Sequence, residues 1–115
     1  MVIQGWVAVK EQDTNGHLWF TIPVGAARYD GKTFITYTKE DGLPDKGPLM
    51  VAKDLQGNLW FAARLSNRIA WYDGKRLRQL EEKSPIGKIL SLCADREGNV
   101  WFGSGNFLGV AMFDP

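Results

Sequence analysis

The chain has 115 residues, a length that suits one domain. Its formal net charge is +1, which argues against a broad nucleic-acid or membrane-surface footprint, because either needs clustered Lys and Arg. The single Cys93 excludes an intrachain disulfide, and no apolar stretch reaches the length of a membrane-spanning helix.

The opening run Met1 to Val9 lacks the basic region of a signal peptide, and Lys10 cuts it short. Val7-Ala8-Val9 reads as a first strand. Asp13-Thr14-Asn15-Gly16 follows, with Asp first and Gly fourth. That order suits a type I turn, because Asp bonds its own downstream backbone and Gly takes a positive φ. Leu18 to Ile22 reads as the return strand and Ala26 to Asp30 as a third. Asp30-Gly31 is a hairpin signal, and Thr33 to Thr38 makes a fourth strand. A link, Lys39 to Pro48, then leads onward.

The same order returns twice. Leu49 to Lys53 and Leu59 to Ala63 flank Asp54-Leu55-Gln56-Gly57. Ile69 to Tyr72 and Lys75 to Leu80 flank Asp73-Gly74, which reads as a two-residue type I′ turn. The more polar Lys75 to Leu80 suits an outer edge strand. After the link Glu81 to Lys88 come Ile89 to Ala94, Asp95-Arg96-Glu97-Gly98, Val100 to Gly103 and Gly109 to Phe113. The chain reaches Asp114-Pro115 where a fourth strand is due. Asp13, Asp54 and Asp95 are 41 residues apart, and so are Trp19, Trp60 and Trp101. A fixed period in this range marks a repeat architecture.

Trp60 and Phe61 are neighbours on one strand, so they point to opposite faces and both faces need cover. A sheet sandwiched between two other sheets provides it. Helical repeats of similar period are disfavoured, because no segment sustains a 3.6-residue periodicity and the Gly turns would break helices. Four short strands per repeat is the pattern of a β-propeller blade. The expected fold is therefore all-β: a β-propeller of three four-stranded antiparallel blades, the third incomplete. The chain reads as one repeat domain, 1–115, with blades at 1–38, 49–80 and 89–115.

At these residues the sequence resembles the two-component regulator propeller repeat. The shared core is Asp54, Gly57, Asn58, Leu59, Trp60 and Phe61, and it recurs at Asp95 to Phe102. The shared turn is Tyr29-Asp30-Gly31-Lys32 and again Tyr72-Asp73-Gly74-Lys75. The shared link is Tyr37-Thr38-Lys39-Glu40-Asp41-Gly42-Leu43-Pro44. His17 departs from the usual Asn, and Glu81-Glu82-Lys83-Ser84-Pro85 has lost the Asp-Gly-Leu-Pro of the link. The resemblance implies a ligand-sensing or protein-interaction module, often carbohydrate-responsive, placed in the periplasm or outside the cell.

Propellers have about four to eight blades. Three blades in a row leave an apolar sheet face at each end, and patches of that kind favour association. Two copies give six blades, and two-fold dimers are the commonest oligomers. The chain is thus expected to be half of a six-bladed ring closed by a homodimer. Met1 to Gln4 either extends the first inner strand or pairs beside Phe113 of another chain.

The residues offer little chemistry. Asp13, Asp54 and Asp95 precede Gly in turns, so a structural role is favoured over a catalytic or metal role. The Trp series reads as packing between blades rather than a sugar platform. His17 begins a strand beside a turn and has no second ligand at metal spacing. An acid/base role such as that of the streptogramin lyases, which have somewhat similar repeats, finds no full site here. Cys93 lies in an apolar run and reads as a buried, inert thiol. No cofactor, metal, nucleic acid or membrane insertion is expected, and the protein is read as a non-enzyme. A ligand site, if present, belongs at one mouth of the central channel, on the links and on the loops joining second and third strands. Arg64, Asn67, Arg68, Asn106 and Phe107 are the candidates there, offering donors and one aromatic face to a carbohydrate or other small ligand. A self-assembling piece without a ligand is the alternative reading.

Overall fold

The computed structural model describes residues 8–44, 49–64, 66–80, 84, 87–104 and 109–113. Within them the chain runs up and down through three antiparallel sheets. The first holds β1 (Ala8–Gln12), β2 (Leu18–Ile22), β3 (Gly25–Tyr29) and β4 (Phe34–Tyr37), paired in that order. The second holds β5 (Leu49–Lys53), β6 (Leu59–Ala63), β7 (Ile69–Tyr72) and β8 (Leu77–Gln79), likewise in sequence order. The third pairs β9 (Ile89–Ala94), β10 (Val100–Ser104) and β11 (Val110–Phe113). One short 3-10 turn, Lys39–Asp41, is the only helical element among the described residues.

These are propeller blades. The first strands β1, β5 and β9 neighbour one another, so they form the inner edge of the arc, and later strands step outward. β1 runs from Ala8 to Gln12, continuing past the expected end at Val9, while Val7 lies outside the described residues; its register shifts between Val9 and Glu11. Met1 to Gln4 lies outside the described residues, as do Asp114 and Pro115.

The outer hairpins differ from the expected two-residue turn. Tyr72 pairs with Leu77, which leaves a four-residue loop, Asp73 to Arg76. The Asp73 carboxylate accepts the backbone N–H groups of Lys75 and Arg76, each at 2.9 Å. Asp30 does the same for Lys32 and Thr33 at 2.9 Å. The side chain closes these loops, so no mirror-image turn is required.

Two apolar layers glue the blades. Between the first and second blades lie Trp19, Ala26, Leu49, Leu59, Phe61, Ala70 and Tyr72. Between the second and third lie Trp60, Ala62, Ile69, Ile89, Val100 and Phe102. All five residues of β6 are buried, because the middle blade is covered on both faces. Its Trp60 and Phe61 serve opposite layers, as their alternation dictates.

The first link is part of the core. Leu43 is fully buried in the first layer, and its carbonyl accepts the Gln79 side-chain amide at 3.1 Å. It packs close to Gly25, where a Cβ would overlap the Tyr37 carbonyl oxygen and approach Leu43 Cδ1 to 3.1 Å. Gly25→Ala is therefore expected to cost about 2 kcal/mol or more through overpacking that backbone cannot relieve. Gly31→Ala, where a Cβ meets nothing within 4 Å, should cost about 1 kcal/mol, from its positive φ alone. Urea midpoints of the two variants check the order; equal losses would contradict it.

Candidate functional site

Each repeat is built on one carboxylate. In the second blade Asp54 Oδ1 accepts the backbone N–H groups of Gln56 and Asn58 at 3.0 and 2.9 Å. Asp54 Oδ2 accepts the Asn58 side-chain amide at 3.1 Å and the Trp60 indole N–H at 2.8 Å. The Gly57 N–H returns to the Asp54 carbonyl at 3.0 Å, closing the expected four-residue turn. Asp95 repeats the pattern with Glu97, Asn99 and Trp101, the indole again at 2.8 Å. Asp13 repeats it with Asn15, His17 and Trp19, also at 2.8 Å. A charged acceptor so surrounded is satisfied and holds its turn and its Trp together.

The indole bond links residues six apart, and sequence reasoning missed it. The signal was available: every repeated Asp precedes a repeated Trp by the same interval. Carboxylates engaged this way are not free to bind metal or shuttle protons. Among the described residues, no three potential metal ligands gather at one point.

The first blade shows what one substitution does. Asn58 and Asn99 each lend an amide to the Asp, whereas the His17 ring nitrogen stands 3.9 Å from Asp13 Oδ2, too far for a hydrogen bond. His17 Nδ1 instead lies 3.0 Å from Arg28 Nη1. A guanidinium only donates, so Nδ1 is the acceptor of this pair. Arg28 also lies 5.9 and 5.7 Å from the ring centres of Tyr37 and Tyr72, within cation–π reach. His17 is thus held in the packing between turn and blade, at the end opposite the links.

The candidate channel-mouth residues fall as follows. Arg64 is exposed, and Asn67 and Arg68 are half-buried, on the loop between β6 and β7. Ser66 anchors that loop: its N–H donates to Ala63, its Oγ accepts Arg68 N–H at 3.1 Å, and its carbonyl accepts Ile89 N–H at 2.9 Å. The Asn67 carbonyl accepts the N–H of buried Ser84 at 2.8 Å. Loop and second link are thereby stitched together. Asn106 and Phe107 lie outside the described residues.

Cys93 corrects the sequence reading: its thiol is exposed. It faces outward from the third blade beside Trp101, on a face that nothing in the described chain covers. The apolar run predicted burial that only a following blade would supply.

Stacked antiparallel blades on a shared turn-and-indole plan place the chain in the class of β-propeller modules. Residues 83–106, the span that holds β9, the Asp95 turn and β10, match the family described as two component regulator propeller. No curated protein matches the chain.

Asp54→Ala strands the buried Trp60 indole N–H and two turn donors. It is expected to cost about 3 kcal/mol, read as a urea midpoint shift. A change under about 1 kcal/mol would show that the bond to the indole is incidental. Asp95 carries a pH signature: the Trp101 indole, then the Asn99 N–H, hold its carboxyl down from 3.8 to about 2. A depressed folded value means stabilisation present above 3.8 that fades as pH falls towards about 2. The Trp101 indole N–H resonance should shift across that acid window, and Asp95→Asn should abolish the transition.

Proposed function

We propose that the chain is a non-catalytic β-propeller module that closes its ring with a second copy and presents one channel mouth to a ligand or partner. The observation that carries this reading is the engagement of all three repeated carboxylates by their own turns and indoles. The repeated polar residues serve the scaffold, so recognition falls to groups outside the repeat. Arg64, Asn67 and Arg68 are such groups, on a loop whose backbone is anchored by Ser66. A rigid base with variable donors is what recognition loops need. Their guanidinium and amide groups suit the hydroxyls or carboxylates of a carbohydrate or similar small ligand. The matched family supports a regulatory, sensing role, in the periplasm or outside the cell, by analogy of fold. The near-neutral charge speaks against nucleic acid as partner. No helix among the described residues is long and apolar enough to cross a membrane.

A second reading, self-assembly without any ligand, is favoured by one observation. Of the seven large apolar side chains exposed to solvent among the described residues, four, Leu90, Trp101, Val110 and Met112, belong to the third blade. An enzyme reading would need His17 free, and Arg28 occupies it.

Thermal-shift screening against neutral and acidic sugars separates the first two readings. A ligand should raise the melting temperature, and an Arg64→Ala/Arg68→Ala variant should lose that rise while keeping its unliganded value. Absence of any shift across the panel would leave the ligand-free reading.

A further inference from the structure

The three Trp side chains hold the same local position and meet very different surroundings. Each donates its indole N–H to its Asp at 2.8 Å, so the local geometry is common to all. Trp19 is 0% and Trp60 1% exposed, whereas Trp101 is 39% exposed. What differs is the next blade. Trp19 rests on Phe61 and Tyr72 of the second blade, with ring centres 5.4 and 4.8 Å apart. Trp60 is covered by Ile89, Val100 and Phe102 of the third. Trp101 has no counterpart to Phe61 among the described residues. Met112 and Val110 share its face at 51% and 65% exposure, Val110 beside a hollow at Gly103.

The opposite end shows the complementary half. Register places Leu18, Phe20 and Tyr29 of the first blade where Leu59, Phe61 and Tyr72 stand in the second. In the second blade these are 0%, 0% and 2% exposed under Trp19. In the first blade all three are only half-buried, and Phe34 joins them, its ring centre 5.9 Å from Phe20 and 4.6 Å from Tyr29. The turns offer a second match. Thr14 closes over Gly57, where a Cβ would collide with its methyl, and Leu55 lies over Gly98 at 3.8 Å. Arg96 occupies the same turn position in the third blade, and Gly16 the receiving position in the first.

We infer that the Trp101 face of one copy seats on the Leu18–Phe20–Tyr29 face of a second copy, head to tail, with Arg96 over Gly16. The two internal layers are the template, since each already joins these same two kinds of face. Two such contacts related by a two-fold axis close the ring, so the inference rests on the assembly reading above and specifies its faces. Cys93 stands where Ala52, 9% exposed, stands in the second blade, so association covers the thiol. The two Cys93 thiols of a closed ring lie on separate interfaces.

The mass of the full chain by light scattering should be about twice 12.9 kDa. A monomer at every concentration would overturn the assembly reading and this inference together. Trp101→Glu and Phe20→Glu should each reduce the mass to one chain, and an equimolar mixture should recover a two-chain species through the one intact pair of faces. A Phe20→Glu chain that stays dimeric would keep the assembly and overturn the head-to-tail faces. The unaltered chain gives an independent reading that needs no variant to fold. Its Cys93 should become at least tenfold slower to alkylate as concentration rises through the association range. Oxidation should give no disulfide-linked dimer, whereas abundant Cys93–Cys93 product would mean that like faces meet.

Discussion

A carboxylate that accepts an indole N–H organises this protein at two scales. Locally, Asp13, Asp54 and Asp95 gather backbone donors and shape the turn before the second strand. Asp13 and Asp54 are buried, and burying a charge is costly unless it is well hydrogen-bonded, as these are. The same oxygen that receives the indole fixes the orientation of the Trp ring. That ring is the largest apolar group on the face presented to the following blade, so the turn and the stacking of blades are coupled through a single bond. A residue whose usual reading is catalytic or metal-binding is here a fastener.

Stacking then behaves as in other repeat proteins, where each unit is completed by its neighbour. The middle blade has two neighbours, and β6 is buried throughout. Among the described residues the outer blades each have one, and each keeps one face that no other described blade covers. Trp101 is the sharpest expression of this, because its intrablade bond is intact and only the covering rings are missing. The exposed thiol of Cys93 has the same origin. Burial in this architecture is a property of pairs of blades rather than of strands.

The layers are not copies of each other. The cross-strand partner of the Trp is Arg28 in the first blade, Trp71 in the second and Met112 in the third. Trp71 stacks on Trp60 at 5.9 Å, and the Arg78 guanidinium lies 4.2 Å from its ring centre. Arg28 instead spans Tyr37 and Tyr72 and reaches His17. Burial pushes the Tyr72 hydroxyl up in pKa, against the opposing pull of the Arg28 charge. Where Asn58 and Asn99 bond their Asp, His17 is thus bonded by a cation from the neighbouring strand. The links differ as well. Leu43 inserts into the first layer, while the second link contributes buried Ser84 and backbone bonds to the β6–β7 loop.

The spacing of Asp, Gly and Trp by itself determined the blades, their strand order and most strand limits, because turn chemistry and strand alternation are local. Leu49–Lys53, Leu59–Ala63 and Ile69–Tyr72 are legible residue by residue for that reason. The structural role of the repeated Asp was legible too, though its indole partner was not, since a bond across a turn depends on which way two side chains point. The four-residue outer loops, the pairing of Arg28 with His17 and the insertion of Leu43 depend on neighbouring strands and blades. Of the candidate mouth, the sequence could nominate polar loop residues; the anchoring of Arg64 to Arg68 through Ser66 and Ser84 came only with the tertiary structure. Exposure was the least legible property. Trp60 and Trp101 have nearly the same local sequence, and only the presence or absence of an adjoining sheet decides that one is core and the other surface.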